Sequence, residues 1–286
     1  MRRTEGEIMN ATFPTRDLGD VSVTAVSDGY LKLDFGMLLN IHAAEAEKIQ
    51  CNAGVKDLTA VHINTFLVRR NGKNILIDSG AGGIKGWGGR LVTNLAALGV
   101  EPGGIDAVLL THAHPDHIGG LLTPDGEPIF TNAELMISSD EFHYLEDDQN
   151  LSEASERAKG NFLFARDVFK KYQRNIRLIE EGEALPGIFS IPLEGHTPGH
   201  TGYRIEGSKD NLLIWGDIVH FPNIQLLRPD VSIALDKDAP LAAATRTRLL
   251  DMVSSDRLIV GGMHFGEQGF GRIGKYKSAY ELAYAE

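Results

Sequence analysis

His112, Ala113, His114, Pro115, Asp116 and His117 place four metal-capable side chains within six residues. Imidazole and carboxylate donors suit a divalent cation such as Zn²⁺, Mn²⁺, Co²⁺ or Fe²⁺, and the lack of a nearby thiolate argues against a closed structural zinc site. In an extended segment His112 and His114 point to the same side, and Pro115 biases His114 toward that geometry, so one metal can take both rings. Asp116 and His117, at the turn into Ile118-Gly119-Gly120, project in another direction and suit a second metal. A lone histidine is commonly a hydrogen-bonded surface or core residue, and a lone aspartate before a helix is commonly an N-cap. Those readings would have to hold four times over in one hexapeptide. Two cations about 3.5–4 Å apart can hold a hydroxide between them at neutral pH, so that no Ser or Cys nucleophile is needed.

The elements around this string have to deliver it. It follows the apolar run Ala107 to Leu110, which reads as a buried strand, and the carboxyl ends of such strands border the ligand crevice of open α/β sheets. The pattern recurs downstream. Ile188 to Leu193 leads to Gly195-His196-Thr197-Pro198-Gly199-His200, Asn211 to Trp215 leads to Gly216-Asp217, and Leu258 to Val260 leads to Gly261-Gly262-Met263-His264. Further strands are expected at Val21 to Val26, Ile63 to Val68, Asn74 to Ile77, Leu135 to Ser138 and Thr201 to Ile205, with a hairpin turn at Arg70-Asn71-Gly72. Helices are expected over Leu91 to Leu98, Glu141 to Glu146, roughly Glu153 to Tyr172, and Pro240 to Val253. Periodicity alone supports an α/β or α+β chain. No linker or low-complexity tract interrupts the 286 residues, and the candidate ligands spread from His112 to His264, so a single domain over 1–286 with an N-terminal arm at 1–18 is expected.

Composition narrows the partners. With 28 Lys+Arg against 39 Asp+Glu, the formal charge is −11, which disfavours nucleic acid as a partner and fits a small substrate better. Cys51 is the single cysteine, so neither an intrachain disulfide nor a cysteine-based metal cluster can form. The opening Met-Arg-Arg-Thr-Glu-Gly-Glu lacks the apolar core of a signal peptide, and no run of about 18 apolar residues marks a membrane span. A cytoplasmic location without membrane attachment is the expectation.

The ligand strings, in this order, resemble the metallo-β-lactamase superfamily. The resemblance implies a four-layer αββα sandwich and two divalent metal ions, with zinc as the first expectation. It assigns His112, His114 and His196 to one metal, Asp116, His117 and His264 to the other, and Asp217 as the bridge. Asp78, in Ile77-Asp78-Ser79-Gly80, matches the acidic residue that stands behind the metal site, although a turn or cap role suits the same tetrapeptide. His200 is read as structural. Asn64 to Val68, Ile77 to Gly83, Thr111 to Leu121 and Trp215 to His220 are most similar to the methyl parathion hydrolase branch, which is related to N-acyl homoserine lactonases. This similarity runs from about Asp17 to His264. One departure stands out: bacterial lactonases carry a Tyr three residues after the bridging Asp, where this chain has His220. His220 either contacts substrate or buttresses the Asp217 loop.

The resemblance therefore implies a binuclear hydrolase in which a metal-bridging hydroxide attacks a neutral ester, lactone or phosphotriester, with Asp116 relaying a proton to the leaving group. Phe35, Met37, Trp87 and Phe221 are the expected apolar pocket, fitting a small apolar ester-like substrate. Phe162, Phe164, Phe169 and Tyr172 read as core. A homodimer is a family-based expectation, with the N-terminal arm and the Trp87 loop as contacts. Three alternatives rank below: a glyoxalase II-type thioesterase using Arg272, Lys275 and Lys277 for glutathione, a mono-iron sulfur dioxygenase, and a non-catalytic metal-dependent sensor or scaffold.

Overall fold

Alternation of apolar side chains between two buried faces builds the molecule. The computed structural model describes residues 13–277 and 279–284. In the strands Ala60–Arg70, Lys73–Ile77 and Ala107–Leu109, the residues Phe66, Val68, Ile75, Ile77, Ala107 and Leu109 enter one core, while Leu67, Leu76 and Val108 enter another. This is the period of two expected of a strand covered on both sides.

The first core lies between two sheets, because Tyr203, Ile205, Leu212, Ile214 and Phe270 meet it from the other side. The N-terminal sheet has seven strands in the order Thr15–Asp17, Val21–Lys32, Ala60–Arg70, Lys73–Ile77, Ala107–Leu109, Glu134–Ser138 and Ile176–Ile179, the last four mutually parallel. The C-terminal sheet runs Ala279–Tyr284, Phe270–Tyr276, Ile259–Gly261, Asn211–Ile214, Thr201–Glu206, Ile188–Pro192 and Gly182–Leu185. Helices Leu91–Ala97 and Glu156–Tyr172 cover the outer face of the first sheet through Leu91, Leu95, Phe162, Val168 and Phe169. Helix Ala239–Asp256 covers the second through Leu249, Leu250 and Val253. Helix, sheet, sheet, helix is the four-layer sandwich that the family resemblance implied.

Several boundaries differ from the sequence expectation. The strand expected at Val21 to Val26 continues through Lys32, with a register shift between Ser27 and Gly29. The helix expected from Glu153 is two, Asp148–Glu153 and Glu156–Tyr172; Ser155 caps the second by accepting from the Ala158 amide. The chain after Phe265, which carried no diagnostic motif, forms the hairpin Phe270–Tyr276 with Ala279–Tyr284 that extends the C-terminal sheet. Of the N-terminal arm, residues 1–12 lie outside the described residues, so the dimer contact expected there does too; Thr15–Asp17 pairs as an edge strand with Val21–Lys32.

One buried carboxylate organises the glycine-rich segment after Ile77. Asp28 is fully buried and accepts hydrogen bonds from the backbone amides of Ala81 (2.8 Å), Gly82 (3.2 Å) and Leu91 (2.9 Å). Its own carbonyl accepts from the Arg90 amide at 3.1 Å. Gly88 has φ +55, and a Cβ there would meet Asp28 Oδ2 at 1.9 Å, so only glycine lets the segment wrap this closely. Burial pushes the Asp28 pKa up despite those amides. The segment carrying Trp87 is thus tied down at both ends.

Candidate metal centre

The candidate ligands sit just beyond strand ends of both sheets. His112 and His114 follow Ala107–Leu109, and Asp116 and His117 lie on the short helix Pro115–Ile118. His196 follows Ile188–Pro192, Asp217 lies in the turn after Asn211–Ile214, and His264 follows Ile259–Gly261. These seven residues, separated by up to about 150 positions, form two groups that can each hold a metal ion. One is His112, His114, His196 and Asp217; the other is Asp116, His117, Asp217 and His264, with ligand atoms in each group all within 4.8 Å of one another. Asp217 belongs to both.

Hydrogen bonds behind the rings decide which nitrogens face inward. His117 Nδ1–H donates to Asp78 Oδ2 at 2.6 Å, His196 Nδ1–H to Asp236 Oδ1 at 2.7 Å, and His264 Nδ1–H to the His62 carbonyl at 2.6 Å. Carbonyl and carboxylate acceptors put the proton on Nδ1, which leaves each Nε2 with a lone pair. Those lone pairs converge. His117 Nε2 and His264 Nε2 each lie 3.1 Å from Asp217 Oδ1, yet none of these three buried atoms has a hydrogen-bond partner. His112 Nε2 is likewise buried without a partner, 3.7 Å from Asp217 Oδ2. His196 Nε2 and His114 Nδ1 face one another at 3.0 Å. Buried polar atoms this consistently unsatisfied are costly unless a cation completes them. The donor set therefore fits divalent metal ions.

The electrostatics agree. Burial lowers every ring, and for His112 and His114 it dominates, with neighbouring imidazoles adding to it, so both sit well below the ordinary histidine range. Burial also opposes a proton on His117, His196 and His264, but the carboxylates outweigh it. Asp217, Asp116 and Asp78 hold His117 well above the usual value, Asp217 raises His264, and Asp217 with Asp236 lifts His196 to about 9. Burial would raise Asp217, yet His117, His264, His220 and His112 hold it well below the carboxylate range. A field that favours protons on these rings favours a cation among them.

Asp217 is held by its backbone. Its amide donates to His200 Nε2 at 2.9 Å, while His200 Nδ1–H donates to the Leu193 carbonyl at 3.0 Å, so both His200 nitrogens are committed to structure. Gly216, at φ +58, leaves room for that ring; a Cβ would meet His200 Nε2 at 2.4 Å. Arg246, 1% exposed, donates to the carbonyls of Ile218, Pro229 and Val231 and lies 4.0 Å from Asp236.

Two residues that support the site were not legible in the sequence. Asp236 orients His196, but Asp236-Lys237-Asp238-Ala239-Pro240 reads only as a helix start, the role Asp238 fills. Glu141, fully buried, accepts from the amides of Ala113 and Gly199, both at 3.1 Å, and so crosslinks the two loops that carry His112, His114 and His196. Asp236→Ala is expected to weaken metal binding about 10- to 100-fold. Competition with a chromophoric chelator measures this, and an unchanged affinity would make Asp236 dispensable for orienting His196.

The centre opens to solvent on one side. His114 and Asp116 are its partly exposed members, and both line a cleft of about 170 Å³ together with Asp217 and His220. His220 is 3% exposed; its Nε2 lies 3.1 Å from Asp217 Oδ2 and neither ring nitrogen is hydrogen-bonded. Gln225 Oε1 accepts from the His220 and Phe221 amides and fixes that backbone.

The expected pocket needs correction. Met37 and Trp87 line the cleft, with Leu31, Leu33 and Leu235. Phe35 and Phe221 do not: their rings pack on each other at 5.6 Å within a buried cluster containing Leu38, Ile224 and Val231. Lys85 and Arg157 line the cleft as well, so its wall is mixed rather than apolar. A second cleft of about 290 Å³ borders His114 and His196, shares His114, Asn161 and Leu235 with the first, and includes Phe162 and Tyr144. Phe164, Phe169 and Tyr172 pack in the helix-facing core.

Comparison with known proteins agrees with this fold. A hydrolase of the beta-lactamase superfamily called AbOPH superposes with a TM-score of 0.90 at 28% identity, covering 96% of this chain and 98% of that one. AidC, a dizinc quorum-quenching lactonase whose structure holds the product N-hexanoyl-L-homoserine, superposes with a TM-score of 0.89 at 25% identity, covering 96% and 97%. An N-acyl homoserine lactonase of Bacillus cereus is 26% identical over 180 residues, 63% of each chain. The chain spans less than two thirds of the length of the curated relatives it matches. Residues 58–264, well over half of the sequence, match the metallo-beta-lactamase superfamily as a family, and with the αββα sandwich and the shared Asp217 in place the chain belongs to that superfamily.

Proposed function

We propose that this protein is a binuclear metal-dependent hydrolase that cleaves a neutral ester, lactone or phosphotriester bond in a small molecule. The observation that carries the reading is the pair of four-ligand groups sharing Asp217 at the floor of a cleft. Two divalent cations held there, zinc first among the candidates, would supply a hydroxide nucleophile and draw negative charge from the substrate oxygen. The chain's own residues do the rest. His220 faces the cleft beside Asp217 and offers a ring N–H to an oxygen gaining charge. Asp116, partly exposed, takes a proton and returns it to the leaving oxygen. Trp87, Met37 and Leu235 exclude water from one side of the substrate.

The net charge of −11 supports a small substrate over a nucleic acid. No helix among the described residues is long and apolar enough to cross a membrane. The thioesterase reading gains no support from its expected patch: Arg272 pairs with Asp210, Lys275 with Asp251, Lys277 stands 5.2 Å from the Tyr276 ring centroid, and none of the three lines the clefts at the centre.

A hydrolysis screen of metal-loaded protein over lactones, aryl esters, phosphotriesters and S-lactoylglutathione tests the reading. Turnover should be highest on an oxygen ester, lactone or phosphotriester; highest turnover on the thioester would replace it with the glyoxalase II-type alternative. Within an ester series, kcat/KM should rise with acyl or aryl size, and Trp87→Ala should remove about 1 kcal/mol of that gain, as expected for a half-buried aromatic wall. A flat series in both proteins would remove Trp87 from substrate binding.

A further inference from the structure

Arg157 and Asn161 lie one helical turn apart on Glu156–Tyr172 and both line the cleft that opens on Asp116, Asp217 and His220. Of the other cations of that helix, Lys159 pairs with Glu156, Arg166 with Asp148 and Lys171 with Glu127, while Lys170, a helix residue away from the cleft lining, has no ion pair among the described residues. Arg157 has no carboxylate partner among the described residues and touches only the Met37 sulfur, a weak acceptor, at 3.4 Å. The Asn161 amide has no hydrogen bond there at all.

Lys85 faces the same cleft from the opposite segment. Its ammonium stands 5.1 Å from the Trp87 ring centroid and forms no ion pair among the described residues. Its backbone is left-handed, φ 55 and ψ 18, a conformation unfavourable for a non-glycine residue. Glycine occupies 82, 83, 86, 88 and 89, so a lysine at 85 is not the residue this backbone favours. Of the other charges on the cleft, Lys32 is paired with Asp57 at 2.6 Å, and Asp34 accepts from the Gly36 amide at 2.7 Å. On a chain of net charge −11, this cleft thus carries a guanidinium and an ammonium without a carboxylate partner among the described residues, together with an unbonded side-chain amide.

We propose that Lys85, Arg157 and Asn161 recognise a carboxylate carried by the substrate at the far end from the bond that is cleaved. The inference rests on the hydrolase reading above and narrows its substrate class to neutral esters or lactones with an apolar spacer and a terminal carboxylate. The guanidinium fork matches the two carboxylate oxygens, Lys85 adds charge, and Met37 and Trp87 cover the spacer.

Two esters of equal acyl-chain length test this, p-nitrophenyl hemiglutarate and p-nitrophenyl pentanoate, which differ in carrying a carboxylate or a methyl at the chain end. In the metal-loaded protein the hemiglutarate should have a KM roughly threefold to tenfold lower, the range for two solvent-exposed ion pairs, and added salt should erode the difference. The ratio of the two KM values should approach one in Arg157→Ala combined with Lys85→Gly, the latter chosen because glycine keeps the left-handed backbone. Equal KM values in the unaltered protein would overturn the proposal. So would a preference that survives in the double variant, since the metal ions rather than these residues would then be reading the carboxylate. If neither ester is turned over, the lactone and phosphotriester arms of the screen above decide the hydrolase reading separately; glutarate binding, followed by tryptophan emission, then decides the carboxylate proposal, with equal affinity in both proteins overturning it.

Discussion

Asp217→Ala is expected to remove both metal ions and to lower kcat by at least about 10³, the equivalent of several kcal/mol of charge stabilisation. Asp217 is the single residue common to the two ligand groups, and its carboxylate lies 3.1 Å from His117, His264 and His220 and 3.4 Å from His196. Without it each group loses a ligand, and five buried imidazoles lose the anion that faces them. Elemental analysis of gently purified protein should fall from two metals per chain to less than one. His264→Ala should deplete only the group that also contains Asp116 and His117. Circular dichroism shows whether the fold persists. Full metal content together with lost activity would mean that Asp217 takes part in the chemistry without holding the ions.

His220→Ala is expected to lower kcat about 10²-fold with metal content unchanged, a loss comparable to removing one donor from an oxyanion site. His220 is buried, borders the cleft and has two ring nitrogens without hydrogen bonds, so one N–H is available to the substrate. It also touches Asp217 and stacks on His264 at 5.1 Å between ring centroids. The two roles separate experimentally: loss of metal with activity identifies a buttress for Asp217, and unchanged kinetics would exclude a catalytic role.

The ligands were legible in the sequence because chemistry and architecture coincide there. Four donors fall within one hexapeptide, and each later candidate follows an apolar run that reads as a strand, while the division of the seven into two groups sharing Asp217 came from the family resemblance. Asp78 was legible only as a choice between a turn and a support; its 2.6 Å contact to His117 comes from strand pairing that the local tetrapeptide does not encode. Asp236 and Glu141 lie in segments with ordinary helix-start and amphipathic patterns, and their partners are tens of residues away. Phe35 and Phe221 were placed in the pocket because an aromatic near a ligand loop looks the same from sequence whether it faces substrate or core. The order of the strands decides, and it sends both into a common apolar cluster. The C-terminal hairpin lacked signal because Gly271 and Gly274, together with Arg272 and Lys275, dilute its alternation.

The Asp28 carboxylate changes what the glycine-rich segment can be. Held by amides at Ala81, Gly82 and Leu91, it is a fixed frame rather than a moving flap, and its glycines serve the wrapping rather than freedom of motion. Side chains at Ile84, Lys85 and Trp87 are mounted on that frame without belonging to its anchorage. Of these, Lys85 and Trp87 line the cleft, so exchanging those two can retune what it accepts, while the path of the chain and the placement of Asp78 behind the candidate ligands stay as they are.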